Sequence, residues 1–252
     1  MGPCPSVKRS QALSERDEAE RIRGAYADRS ARGLDSRYDA YRPDVLLRLH
    51  QVERLLLTEL GAHGWTDLRR LEVLDVGCGS GGTLLRLISH DVDPTRAHGV
   101  DIREDAIRVA RSRNPAGDLR LANAAHLPYA NDTMDLVLQF TTISSILDAR
   151  LRATVAREMS RVVEPRGLIV SYDFRINPSN PDTRGLPRRE LRALFPDHDI
   201  RAQSVTLAPP IARLVAPRSY ALATALQALP PLRSHLLAFI VPPESADRQH
   251  SS

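Results

Sequence analysis

From residue 71 onward this chain alternates short apolar runs with amphipathic segments, and the first run, LEVLDV, breaks at once into GCGSGG. Runs at residues 71–77, 97–102, 119–124, 134–140 and 167–174 have strand length, while residues 82–90, 104–113 and 148–163 repeat apolar positions at helical spacing. Strands separated by helices pair in parallel through right-handed crossovers, which puts helices on both faces of one sheet. The alternation therefore predicts an α/β fold. A glycine-rich turn behind a buried strand lets a ligand approach backbone amides, so the turn is also the first candidate site.

The flanks read differently. Residues 1–10 have the composition of a frayed tail, followed by a charged helical pattern over 11–28. A second helix lies within 37–64, with Leu46, Leu47, Leu49, Val52, Leu55, Leu56 and Leu60 at helical spacing. These two form an expected N-terminal helical cap over residues 11–66, ahead of a main domain at 67–241. In that domain, strands are expected at 200–208 and 235–242, with a proline-bounded helical insert at 209–231 between them. Residues 242–252 read as a second tail.

Composition narrows the function classes. The 252 residues are 42% hydrophobic and 26% charged, enough to bury a core. Two cysteines, Cys4 in the tail and Cys78 in the glycine turn, argue against a disulfide framework or a metal cluster and for a reducing cytoplasm. No run reaches the roughly 18 apolar residues of a membrane helix. The N-terminus lacks the apolar segment of a secretory signal. Net charge is +4, but the arginines mostly alternate with acids, as in ERDEAERIR, which marks solvated helix faces. With 4% aromatic residues there are few platforms for stacking nucleic-acid bases.

Gly77, Gly79 and Gly82 satisfy G-x-G-x-x-G, the spacing of a nicotinamide dinucleotide turn. Asp75 opposes that ligand, because a carboxylate two residues before the turn repels pyrophosphate and suits a cationic group. Asp101 ends the second strand and can accept the ribose hydroxyls of any adenosine cofactor.

LDVGCGSGG resembles the first motif of the class I S-adenosylmethionine-dependent methyltransferases, an acid followed by G-x-G-x-G, here Asp75, Gly77, Gly79 and Gly81. HGVDI, which ends a strand with Asp101, matches the second. In LANAAHLPYANDTMDLVLQF, residues Asn123, Ala124, Leu127, Pro128, Tyr129, Asp132, Met134 and Asp135 fill the positions of a D-A pair, L-P-[FY] and F-D. EMSRVVEPRGLIV resembles the family's R-V-L-K-P-G-G turn, with Arg166 in place of one glycine. The resemblance implies a Rossmann-like, seven-stranded, mostly parallel sheet with an antiparallel last strand, and S-adenosylmethionine as cofactor. It implies a cofactor set of Asp75, Gly77, Cys78, Gly79, Gly81, Asp101, Ile102, Asn123, Ala124 and Gln139. Asn123 departs from the family's acid, though its amide oxygen still accepts a proton.

Within that family the chain looks like the type 11 small-molecule group. The fourth strand is followed by TTISS rather than [DN]-P-P-[YF], so a flipped nucleic-acid base is not the expected substrate, and no magnesium-site pattern is present. The expected reaction is in-line methyl transfer to a small-molecule, glycan or secondary-metabolite acceptor, free or carrier-bound, at oxygen. Ligands of open parallel sheets bind at the carboxyl ends of strands, which nominates Gln139, Thr141, Thr142, Tyr172, Asp173 and Arg175. Asp173 is the first choice for a base or orienting group, with Tyr172 and Gln139 beside it; pairing with Arg175 or capping the turn at Asn177 is its structural alternative. Tyr38 and Tyr41 are expected to pack on the sheet or close over the cofactor. His126 reads as pocket wall and His235 as structural. Arg213 and Arg218 could face a substrate phosphate, core packing of the insert being the plainer reading. Two alternatives stay open: a nicotinamide-dependent oxidoreductase using the same turn, and a non-catalytic binding protein on the same fold.

Overall fold

The computed structural model describes residues 15–177 and 180–243. The expected tails lie outside the described residues, apart from residues 242 and 243. Two helices come first, α1 (Glu15–Ala31) and α2 (Pro43–Ala62). Then β1 (Val73–Val76), α3 (Gly82–Ile88), β2 (Ala97–Asp101), α4 (Glu104–Arg113), β3 (Asp118–Leu121) and β4 (Met134–Phe140) alternate. The short α5 (Thr142–Ser145), α6 (Ala149–Val162), β5 (Val163–Phe174), α7 (Arg188–Leu194) and β6 (Asp199–Leu207) follow. The insert α8 (Pro209–Val215) and α9 (Tyr220–Gln227) leads to β7 (Arg233–Val241).

The strands form one sheet in the order β3-β2-β1-β4-β5-β7-β6. All run parallel except β7, which is antiparallel to both neighbours. The fold is the expected one, down to the antiparallel last strand. Strand order reverses between β1 and β4, so the crossovers leave in opposite directions and a crevice opens at the carboxyl ends of these two strands. Every residue of β1 is buried, as a central strand covered on both faces must be.

Helices α2, α3 and α4 cover one face. Pro43 starts α2 at a position where its missing N–H costs nothing, and Leu47, Val52, Leu56 and Leu60 form its buried stripe. Val52, Leu56 and Leu60 join Val73, Leu136 and Leu168 in one core. On the other face α6 buries Leu151, Val155, Met159 and Val162 against Leu74, Val137 and Ile169. Asp148 caps α6 by accepting the N–H groups of Arg150 and Leu151, both at 2.8 Å, worth about 1 kcal/mol. The insert packs Ala212, Ala216 and Ala223 on Leu47 and Leu207, while Leu214 and Leu222 stay exposed, so only its inner side is core.

The Arg166 departure is harmless to the turn. Its side chain is exposed, whereas the retained Gly167 lies where a Cβ would come within 2.7 Å of the Asp135 carbonyl oxygen and of Val163 Cγ2. Tyr38 and Tyr41 depart from expectation: they are 53% and 78% exposed, and neither packs on the sheet nor lines the cleft described below. No helix among the described residues is long and apolar enough to cross a membrane.

Candidate functional site

The glycine turn sits at the switch point. Gly77, Gly79 and Gly81 have φ of +76°, +54° and +79°, a region that L side chains seldom enter. At Gly77 space forbids a side chain as well, since a Cβ would lie 2.2 Å from Thr142 Oγ1. The N–H groups of Gly77 and Cys78 both donate to the Val100 carbonyl, at 2.8 and 2.9 Å, tying the turn to β2. Cys78 is buried and its sulfur packs where a Cβ on Gly99 would stand, 2.9 Å away. Burial, then the charges of Asp75 and Asp101, push its thiol well above the ordinary range, so it is a packing residue and not a nucleophile.

Asp101 closes the turn from the end of β2. Its Oδ2 accepts the Gly79 N–H at 2.9 Å and its Oδ1 the Arg103 N–H at 2.8 Å, which fixes the carboxylate at the lip of a cleft of about 670 Å³. Each oxygen keeps a further lone pair, enough for two vicinal hydroxyls. Gly77, Ile102, Asn123 and Ala124 line the same cleft, with Phe140, Thr142, Ile146 and Leu151 across from β4 and the segment after it. Asn123 Oδ1 already accepts the Ala125 N–H at 3.0 Å, so the amide is held in one orientation by its own turn.

The remaining wall comes from α1. Ala19, Ile22 and Tyr26 recur three and four residues apart and all line the cleft. Glu18, fully buried, anchors this helix: it accepts Arg21 Nε at 3.0 Å, Arg21 Nη2 at 2.9 Å and the Leu147 N–H at 2.5 Å. Burial alone would raise its pKa, but the Arg21 and Leu147 bonds outweigh it and hold the carboxyl below its ordinary range. The Arg103 guanidinium lies 4.3 Å from the Tyr26 ring centre, and Arg23 Nε donates to the Ile102 carbonyl at 3.1 Å. These α1 residues were missed in the sequence, where the apolar stripe was visible but outnumbered by charge.

Behind the cleft lies a buried polar network. Gln139 Oε1 accepts the N–H groups of Thr142 and Ile143, at 3.1 and 3.2 Å, and its Nε2 donates to Ser171 Oγ at 2.5 Å. Asp173 Oδ2 accepts the Ser144 N–H at 3.1 Å, and burial raises its pKa to about 6. Both side chains thus hold α5 in place and neither lines the cleft. Asp173 bonds to neither Arg175 nor Asn177 in this arrangement; its partner is the start of α5, which the sequence did not mark. Asp75 is also behind the turn: buried, with Oδ1 unpartnered, and pushed up to about 7 by burial and then by the Asp101 charge. An orphaned buried carboxylate oxygen beside a turn suits an ammonium group, reached directly or through water, and it does not suit a pyrophosphate.

His126 is 71% exposed at its side chain and bonds Glu15 at 3.0 Å rather than forming pocket wall. His235 is structural, stacked on Tyr172 at 4.9 Å with Ser234 Oγ 2.8 Å from its Nδ1. Arg213 lies 3.9 Å from Asp44, so it answers to a buried acid of α2.

A switch-point cleft with the Asp101 carboxylate at its lip and an orphaned acid behind a glycine turn suits a cationic adenosine cofactor. Residues 73–167 match the family described as "Methyltransferase domain". The relatives and the solved neighbour below use S-adenosylmethionine, which supports it as the cofactor over the nicotinamide alternative. The chain is 34% identical over 137 residues to a probable S-adenosylmethionine-dependent methyltransferase of Mycobacterium tuberculosis (strain H37Rv), covering 50% of this chain and 47% of that one. It is 34% identical over 109 residues to the methyltransferase GfsG of Streptomyces halstedii, covering 41% and 37%. The chain thus spans about half the length of such relatives or less. Magnesium protoporphyrin IX methyltransferase from Synechocystis, solved with its cofactor, superposes with a TM-score of 0.63 at 13% identity over 92% of this chain and 100% of that one, a likeness of fold.

Proposed function

We propose that this chain transfers a methyl group from S-adenosylmethionine to the oxygen of a small-molecule acceptor, with a glycan or secondary metabolite, free or carrier-bound, as the acceptor class. The observation that carries the reading is the Asp101 clamp on Gly79 and Arg103 at the lip of a cleft shared with Asn123 and Ala124. In this reading Asp101 holds the ribose, Asn123 and Ala124 border the adenine, and Asp75 orients the amino end. The bound cofactor supplies a sulfonium methyl already activated for displacement, so the protein's task is alignment and exclusion of water. Helix α1 serves the second task, closing the cleft with Ile22 and Tyr26.

Gln139 and Asp173 are positioning residues in this scheme. They set the α5 turn, and through it Thr142, whose Oγ1 donates to the Val76 carbonyl at 2.8 Å. Tyr172 faces a second recess described below. We read residues 11–66 as the helical cap and 67–241 as the methyltransferase domain, with 209–231 as its insert, in a cytoplasmic enzyme.

Titration calorimetry with S-adenosylmethionine, S-adenosylhomocysteine and NADH tests the cofactor assignment. The first two bind in the micromolar range and lose roughly a hundredfold in Asp101→Ala, as expected when two charge-assisted hydrogen bonds go. Binding of NADH alone overturns the reading. Transfer of labelled methyl from the cofactor into metabolite extracts, with product sorted by base-stable ether, ester or amine linkage, tests the atom.

A further inference from the structure

Phe140 lines the cofactor cleft on one side and a narrow second recess on the other. This recess runs between α2 and α3, with Leu49, Val52, Leu56, Leu57 and Leu87 as its aliphatic wall. Into it come Arg48 from α2, Arg86 from α3, and the aromatic ring of Tyr172 from β5. The acid of the recess, Glu53, is already engaged by His90 Nε2 at 2.5 Å. Among the described residues, neither Arg48 nor Arg86 lies within 4.0 Å of a carboxylate oxygen. The two guanidinium groups repel each other: burial, then the charge of Arg48, lowers Arg86 below the usual guanidinium range, with Glu53 and Asp75 only partly opposing. Asp75, pushed up to about 7, is a weak counter-ion at neutral pH.

Two like charges, half-buried beside apolar walls and without a carboxylate partner, Arg48 bonding the Tyr172 hydroxyl, are unfavourable unless an anion joins them. Guanidinium forks match a carboxylate with paired hydrogen bonds. We propose that this recess binds the carboxylate of an acceptor whose skeleton is apolar next to that group, with Arg48 and Arg86 as the clamp and Phe140 as the divider from the cofactor. The leucines favour hydrocarbon directly beside the anion, which a carboxylic acid offers and a sugar phosphate does not. The assignment rests on the methyl-transfer reading, and it makes the two arginines determinants of acceptor choice.

The test uses the full chain saturated with S-adenosylhomocysteine, titrated with octanoate and with 1-octanol and followed by ligand-observed NMR. Octanoate binds at least roughly tenfold more tightly than 1-octanol, and Arg86→Gln or Arg48→Gln removes that preference while leaving 1-octanol and S-adenosylhomocysteine affinities unchanged. Equal binding of the two probes overturns the proposal. So does a loss of S-adenosylhomocysteine affinity in the variants matching the loss for octanoate, which would give the arginines to the cofactor's own carboxylate. The S-adenosylhomocysteine titration of the unaltered chain stands apart: failure there sinks the methyl-transfer reading itself and the acceptor assignment with it.

Discussion

At Gly77 two demands coincide, a positive φ of +76° and a Thr142 Oγ1 standing 2.2 Å from where a Cβ would be. Left-handed backbone costs a non-glycine residue about 1–2 kcal/mol. Overpacking adds about 1–3 kcal/mol. Gly77→Ala should therefore lower the melting temperature by roughly 5 °C or more for a chain of this size. Adding Thr142→Ala removes the two closest atoms, Oγ1 and Cγ2, but keeps a Cβ at 3.0 Å and the backbone strain, so it should restore part of the loss and not all of it. Thermal unfolding of the two variants checks both halves. Asn123 offers a test of opposite sign. Its Oδ1 already serves the Ala125 N–H, and the other end of the amide can only donate. Asn123→Asp keeps the turn and turns the free end into an acceptor for an exocyclic amine, so S-adenosylhomocysteine should bind a few-fold more tightly, by calorimetry.

Helix α1 buries one residue, Glu18, and Glu18 is its anchor. Glu18→Gln keeps the shape and removes the charge, weakening two bonds from Arg21 and one from Leu147. Cofactor affinity should fall roughly five- to tenfold with little change in melting temperature, because the core beneath α1 is intact. Acid should do the same. The Glu18 pKa is lowered in the fold, so its contribution is complete above the ordinary carboxylate range and is lost as pH falls through the lowered value. How much of this was legible depended on where each element's constraint lies. α4 and β4 run over 104–113 and 134–140, the spans expected, because burial imposes their periodicity locally. α7 was not foreseen. Its seven residues RRELRAL carry little stripe, and it is placed by Arg152, a fully buried side chain that bonds Glu190 at 3.0 Å from α6. The glycine turn and Asp101 were readable because one strand end and its turn form them. The recess of Arg48 and Arg86 was not, because it exists only when α2 lies beside α3.

At the scale of the whole molecule, three buried titratable groups pull stability in opposite directions with pH. Burial, then the neighbouring Asp101 charge, raises Asp75 to about 7, and burial raises Asp173 to about 6. Between the ordinary value of 3.8 and these raised values, the folded chain holds protons that the unfolded chain has released, so these two acids make stability fall as pH rises from about 4 to about 7. His235 acts the other way. Burial, then the charge of Arg48, lowers it from 6.5 to about 3, so in that window the unfolded chain binds the extra proton and stability rises with pH. The unaltered protein should therefore show a shallow dependence of denaturation midpoint on pH across this range. Asp75→Asn removes one falling contribution and should tilt the profile upward toward neutral pH. His235→Phe keeps an aromatic ring against Tyr172 and Phe174, removes the rising contribution, and should tilt the profile downward. Urea midpoints at half-unit pH steps distinguish the cases. Parallel profiles for all three proteins would mean that these groups titrate alike in folded and unfolded chains, and the buried charges would then have no part in holding the sheet's carboxyl edge ready for its ligands.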